Sequence, residues 1–465
     1  MLSSRAKALF SDIVAFMLSG ASIKLLSFFM VPLYTYYLTT EDYAVADLVT
    51  LSIQLAIPLL TLSISDSVLR FGLESNPNKT AVLGSGFSIT LFGTFVSLPI
   101  CAIAGIVSCD WWLGCFSFLL FFVQNMSNYF AAYFKCVNKT KQMALISSVA
   151  GISIVLFNVV FIAGLHLGLH GYWLGNVFGN CFGLCLYLAF GGWRVFSYVK
   201  RLDSKVIRRL LTYSIPLIPN SLFWWINSSM DRFVLTALST LSFVGLYSAA
   251  SKIPQILSTV SGFFFQAWNI SVFKDFGTED SARFFKKGFF LISSGSFLVA
   301  GFLIVLNVPL AHLLFSGDFF QAWALVPLLL TGTTVSILNQ FLGSIFTASK
   351  ETKAIFTTTA MGSVVNIVLN VLLVIFIGGI GAVVATLVSY LMVYAARAKM
   401  ISTNYSFLDL KHLVPCLQIA ALIILSILSM AGLNVIGLCT VFLVMLCGFG
   451  LLEYKKRNSA GHSCY

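Results

Sequence analysis

Charge is what this 465-residue chain has least of: Asp, Glu, Lys and Arg make up 9% of it, against about 25% in a soluble globular domain. So few charges cannot clothe a water-facing surface. The chain also lacks a GxxxxGK[ST] loop, which excludes P-loop ATP hydrolysis, and it has no HExxH. The five histidines (His166, His170, His312, His412 and His462) form no ligand cluster. Ten cysteines are scattered with no CxxC. They read as small buried hydrophobes, so neither a metal nor another cofactor is expected.

What the chain has is apolar length. It is 58% hydrophobic, in recurring runs of about 20 residues, each enough to cross a hydrocarbon core of roughly 30 Å. The short alternating segments of a transmembrane barrel are missing. The expectation is an all-α polytopic membrane protein of about 14 transmembrane helices: 12–37, 44–69, 81–107, 111–134, 143–165, 168–193, 210–237, 243–271, 287–309, 321–347, 354–377, 380–400, 413–431 and 433–452. The first is too long, and lacks the small-residue site, for a cleaved signal.

The net charge of +12 would suit nucleic acid if it were clustered on an aqueous domain. Instead, 25 of the 28 Lys and Arg residues, Arg70 and Arg397 among them, fall in connections or at span ends on one side of the proposed membrane. The other side carries Glu41, Asp42, Asp110 and Asp318. Basic residues stay cytoplasmic during insertion, so both termini are assigned to the cytoplasm and no nucleic-acid partner is implied.

A repeat divides the chain. FKCVNKTKQMALISSVAGISIVLFNV (134–159) and FTASKETKAIFTTTAMGSVVNIVLNV (346–371) share Phe134/Phe346, Thr140/Thr352, Lys141/Lys353 and Asn158/Asn370 at an offset of 212. The offset contains six spans, so both copies enter the membrane in the same direction, as in transporters built from parallel repeats. The expected organisation is a six-helix bundle (1–193), a basic cytoplasmic linker (194–209), a second six-helix bundle (210–400) and two added helices with a tail (401–465).

Three cations remain, away from those inner ends. Lys24 lies near mid-depth of span 1, and Lys252 about 14 Å into span 8 at 1.5 Å per residue. A mid-depth charge costs at least about 2.5 kcal/mol, so an aqueous cavity is the expected home of both lysines. Ser248, Lys252, Gln255 and Thr259 form one helical stripe. Arg232 lies near the outer end of span 7, where either a cavity or the interface would hold it. The adjacent Asp231 points about 100° away and continues a stripe with Asn227. Further polar positions, each able to line a cavity or bond between helices, are Asp47 and Gln54 in span 2 and Asn125 and Asn128 in span 4. Asp66 and Arg70 stand at i and i+4, where a local ion pair would brace or gate the inner end. Pro58 is expected to break the ladder of span 2.

Three stretches carry a family resemblance: SGASIKLLSFFMVPLYTYYLTTEDYAVADL (19–48), YSIPLIPNSLFWWINSSMDRFVLTALSTLSFVGLYSAASKIPQIL (213–257) and FTASKETKAIFTTTAMGSVVNIVLNVLL (346–373). With IP-x-IP, DRF, VGLYSAA-K and VNIVLN in this order, the chain resembles bacterial O-antigen and polysaccharide repeat-unit flippases. These belong to the multidrug/oligosaccharidyl-lipid/polysaccharide exporter superfamily.

The resemblance implies a V-shaped pair of bundles around a cationic cavity, in a bacterial cytoplasmic (inner) membrane. The cavity would carry undecaprenyl-diphosphate-linked glycan to the periplasmic leaflet by alternating access. Lys24, Lys252 and Arg232 would handle the diphosphate. Proton or sodium coupling, with the membrane potential, stays open, as do partnership with a polysaccharide polymerase and chain-length regulator, and action as a monomer. The alternatives are a peptidoglycan-precursor flippase, which usually has a more arginine-rich cavity, and an ion-coupled multidrug exporter, which favours an acidic one. A membrane glycosyltransferase or polymerase would need larger outer loops.

The charge asymmetry makes a direct prediction. A reporter active only in the cytoplasm, fused after Tyr465, is expected to be active. A reporter that works only outside the membrane is expected to be silent there, and an odd number of spans would reverse both results.

Overall fold

The computed structural model describes residues 28–74, 78–199, 203–275, 281–349, 351–405, 408, 410 and 412–461. These are helical almost throughout, with no strand among them. By chain contacts they form two compact units, one ending at Phe233 and the other running from Val234.

In the first unit, α1 (Val31–Tyr37) and α2 (Thr40–Leu60) are separated by Thr39. Its hydroxyl accepts from the Asp42 N–H at 3.1 Å while the Asp42 carboxylate accepts from the Thr39 N–H at 3.4 Å, a reciprocal cap. Then come α3 (Ile64–Gly72), α4 (Lys79–Val107), α5 (Trp111–Cys136), α6 (Thr140–Asn158), α7 (Gly168–Ala189), α8 (Val195–Tyr198) and α9 (Ser204–Ser214). The next helix, α10 (Ile218–Leu238), begins in this unit and ends in the second.

The second unit continues with α11 (Leu241–Ala250), α12 (Lys252–Asp275), α13 (Ser281–Val305), α14 (Asn307–Leu314), α15 (Val326–Ala348), α16 (Thr352–Ile377), α17 (Ile380–Asn404), α18 (Leu413–Met430) and α19 (Val435–Gly461).

Among the described residues, eight helices are long and apolar enough to cross a membrane, or nine if α7 and the segment bent 70° from it count as one span. The other expected spans lie partly outside the described residues or in more polar helices. In α5, for example, Trp, Tyr, Asn and Lys residues lower the hydropathy. Span 2 is not one helix. Pro58 sits inside α2 without interrupting it, and the chain breaks at Thr61–Ser63, where Leu62 and Ser63 take φ of 53° and 50° before α3 begins. Two successive left-handed non-glycine residues are strained backbone, and the Ser63 N–H bonds the Pro58 carbonyl at 2.9 Å.

The repeat is built twice with the same bonds. Helices α6 and α16 start at Thr140 and Thr352, one offset apart. In the turn before each, an N–H reaches back five residues: Lys139 to the Phe134 carbonyl and Glu351 to the Phe346 carbonyl, both at 2.8 Å. Phe134 and Phe346 are fully buried, as are Asn158 and Asn370. Each of these amides donates back four residues, at 2.8 and 3.0 Å.

Lipid offers no hydrophobic push between helices, so close backbone approach has to hold them. Helix α7 supplies it with glycines every fourth residue. Gly171 faces the Phe161 carbonyl, Gly175 faces Asn158, Gly179 faces Ile154 and Gly183 faces Ala150, so a methyl group at any of them would collide with α6 or the π-helical turn Val159–Gly164 that follows it. Gly179→Leu is expected to destabilise the protein by about 1–3 kcal/mol through overpacking, read as a lower melting temperature in detergent. Gly164→Ala, which meets nothing within 4 Å, should leave it unchanged.

Candidate functional site

The least exposed ion pair among the described residues joins α2 to α10. The Arg232 guanidinium (Nε) lies 3.1 Å from the Asp47 carboxylate, with side chains only 12% and 13% exposed. Each is about 10 Å from a helix end, counting seven residues from Thr40 and six from Leu238. Arg232 Nη1 also donates to the Ser228 carbonyl at 3.0 Å, one turn back.

A second contact along the same two helices fixes their register: the Trp225 indole N–H donates to the Leu51 carbonyl at 2.9 Å. Tyr43 is buried one turn before Asp47. Its ring meets Tyr34 of α1 at a tilt, and Tyr34 in turn meets Tyr172 of α7 edge-on, with ring centroids 6.2 and 5.2 Å apart. The site is therefore a charged pair edged by aromatic rings that combine apolar area with hydroxyls. A pair held this far from water resists loss of either partner, because the survivor would be an uncompensated charge.

The structure brings together Arg232 and Asp47, which local spacing did not connect. Asp231 is 3% exposed. Asn227 is half-buried and donates to the Phe223 carbonyl at 3.0 Å. Asn125 is buried as a strut between helices: its amide donates to the Thr94 hydroxyl at 3.0 Å and the Thr90 carbonyl at 3.3 Å, both on α4. Asn128 and Gln54 are exposed on their unit's surface.

Asp66 and Arg70 do not pair. Arg70 reaches Glu74 instead, at 3.9 Å, one turn further on. In the second unit, Lys252 is half-buried at the start of α12 and Gln255 is exposed. Ser248 and Thr259 of the same stripe are buried. Lys24 lies outside the described residues.

One buried cation escaped the sequence reading. Arg397, counted with the basic residues at the inner end of span 12, is 7% exposed inside α17. It donates through Nε to the Thr358 hydroxyl at 3.0 Å, through Nη2 to the Thr359 hydroxyl at 3.0 Å, and through Nη1 to the Asn339 carbonyl at 2.7 Å. No carboxylate among the described residues pairs with it. Its fork ties α15, α16 and α17 together, an arrangement suited to guanidinium rather than ammonium. The missed signal was an Arg seven residues before the end of a helix that outlasts the apolar run.

The chain is 24% identical over 280 residues to a probable low-salt glycan biosynthesis flippase, Agl15, of Haloferax volcanii, and spans 57% of that relative's length and of its own. Among solved structures, an inward closed lipid II flippase MurJ matches with a TM-score of 0.68 at 15% identity, covering 95% of this chain and 99% of that one. An inward-facing multidrug resistance transporter of the MATE family, in the MOP superfamily, matches at 0.69 and 14% identity, covering 86% and 98%. These structures share the fold, which bears out an all-α polytopic membrane architecture. The family described as polysaccharide biosynthesis protein matches residues 9–269, which bears out the resemblance carried by residues 19–48 and 213–257 and makes this chain a member of that family.

Proposed function

We propose that this protein moves a glycan carried on a lipid diphosphate, undecaprenyl-diphosphate in a bacterial membrane, from the cytoplasmic to the periplasmic leaflet. The observation that carries the reading is the Arg232–Asp47 pair, with its aromatic edge, set inside apolar helices of a polysaccharide biosynthesis family member. Lys24 and Lys252 supply the positive charge that attracts the diphosphate, and Arg232 joins them when the substrate competes with Asp47. Amides and tyrosines contact the sugars while the polyprenyl tail stays in lipid.

The six-helix bundles 1–193 and 210–400, joined through 194–209, alternate access, and 401–465 is an addition to them. Both termini are cytoplasmic, the protein acts as a monomer, and a polymerase and a chain-length regulator take the product onward. Two negative charges moving outward down a potential of about 100 mV release about 4.6 kcal/mol, enough to bias turnover without a proton or sodium ion. Coupling to either ion would add to that bias.

The second reading, export of cationic drugs, has the fold similarity to the multidrug transporter behind it. One experiment separates the two. In proteoliposomes, wild-type protein is expected to flip a lipid-diphosphate glycan and to leave cationic drugs in place; the opposite pattern would refute the proposal. Lys24→Ala and Lys252→Ala should each slow flipping by about tenfold or more, the worth of a charge-assisted hydrogen bond to the headgroup.

The role of the pair is read from a charge swap. Asp47→Asn alone is expected to lower stability by about 3–5 kcal/mol. Asp47→Arg combined with Arg232→Asp should restore the melting temperature but not flipping, because the cation has left α10. Restored flipping would reduce the pair to a brace.

A further inference from the structure

The basic stretch between the sixth and seventh expected spans is not a bare linker. It folds into α9, capped by Asp203, whose carboxylate accepts from the Lys205 N–H at 2.8 Å. One face is fastened to the first unit. Leu210 is fully buried, and its carbonyl accepts from the Ser67 hydroxyl of α3 at 2.8 Å. Arg209 pairs with Glu74 at 3.0 Å and lies 4.3 Å over the Phe71 ring. These contacts fix the helix's rotation.

The opposite face is an open groove with a volume of about 450 Å³. It is lined by Ile207, Leu211, Ile215 and Pro216 together with Ser204, Arg208 and Thr212. These positions follow the i, i+3, i+4, i+7 progression of one helical stripe, continued through the 3-10 turn Ile215–Leu217. Glu74 neutralises Arg209 on the other face. The exposed Arg208 has no carboxylate partner among the described residues, and the exposed Lys205 stands one turn before Arg209. The stripe thus pairs an apolar wall with an uncompensated guanidinium, which is the chemistry of an acyl chain beneath a phosphate.

We propose that this groove on α9 binds an anionic phospholipid of the surrounding membrane, its phosphate on Arg208 and its acyl chain along Ile207, Leu211 and Ile215. An amphipathic helix at the bilayer surface gains affinity from both parts, the buried apolar area and the attraction of basic side chains to anionic lipid. A zwitterionic lipid keeps the apolar contact but offsets the phosphate with its own cation. A partner protein on the same face would show no preference for lipid class.

The full chain, purified and exchanged into detergent with phosphatidylglycerol or phosphatidylcholine, tests this by native mass spectrometry, without any glycan substrate. Its outcome is therefore independent of whether the protein flips lipid-linked glycans. Phosphatidylglycerol is expected to be retained preferentially. Arg208→Gln should weaken that retention by about fivefold, the worth of one basic residue at an anionic surface. Leu211→Ser should weaken retention of both lipids. Arg209→Gln, whose guanidinium is committed to Glu74, should leave the preference intact, and inorganic phosphate should not displace the lipid. Equal retention of the two lipids, or an unchanged preference in Arg208→Gln at an unchanged melting temperature, would overturn the assignment.

Discussion

A cation inside an apolar medium must be met by something, and what meets it determines what it can do. Arg232 is met by a carboxylate. The pair is close to neutral, and releasing it requires another anion to take the place of Asp47. Among the described residues, Arg397 is met only by neutral oxygens. Three helices converge on its fork, so its removal would take the donor from two threonine hydroxyls and a carbonyl at once. The first arrangement is exchangeable and the second is a tie. Both follow from the same scarcity: with 44 charged residues in 465, most helix contacts must rely on backbone approach and on short neutral bonds.

That scarcity also explains the helix packing. Along α7 the glycines let α6 come close enough for dispersion to hold the pair. Where side chains do bridge helices they are small amides and hydroxyls, as with Asn125 to Thr94 in the first unit and Thr331 to Ser426, 3.0 Å apart, in the second. The second example fastens α18 to α15. A helix outside the duplicated region thus has a buried polar seam of its own.

Much of this was legible in the sequence, because apolar run length and loop charge are local properties. The repeat visible by eye foretold a helix after each basic turn; the helices start at Thr140 and Thr352, slightly before the expected 143 and 354. The partner of Arg232 was not legible. Residues 47 and 232 are far apart in the chain, and only their similar depth from the same side of the membrane hints at a meeting. Arg397 was counted with the loop charges although the expected span 380–400 already contained it, because charge alone does not tell a buried guanidinium from one at a helix end; α17 continues to Asn404. The break at Thr61–Ser63 had a proline marker nearby, but Pro58 is accommodated inside α2. The chain turns four residues later, in left-handed conformations that neither Leu62 nor Ser63 advertises.

The duplication sharpens the contrast between the two cations. Applying the offset of 212, Thr359 of α16 corresponds to Ser147 of α6. Thr359 accepts from Arg397, while Ser147 lies 2.9 Å from the Tyr187 hydroxyl of α7. The same position in each copy joins the same pair of helices, once through a guanidinium and once through a neutral phenol. The partners themselves are not equivalent positions, since the offset takes Tyr187 to Lys399 and Arg397 to Cys185. A phenol bonded to a serine can part from it at little electrostatic cost, whereas a guanidinium taken from its three acceptors must find others or water. At this one joint, then, the α16–α17 contact would cost a desolvated charge its partners if broken, a penalty that the α6–α7 contact between Ser147 and Tyr187 does not carry.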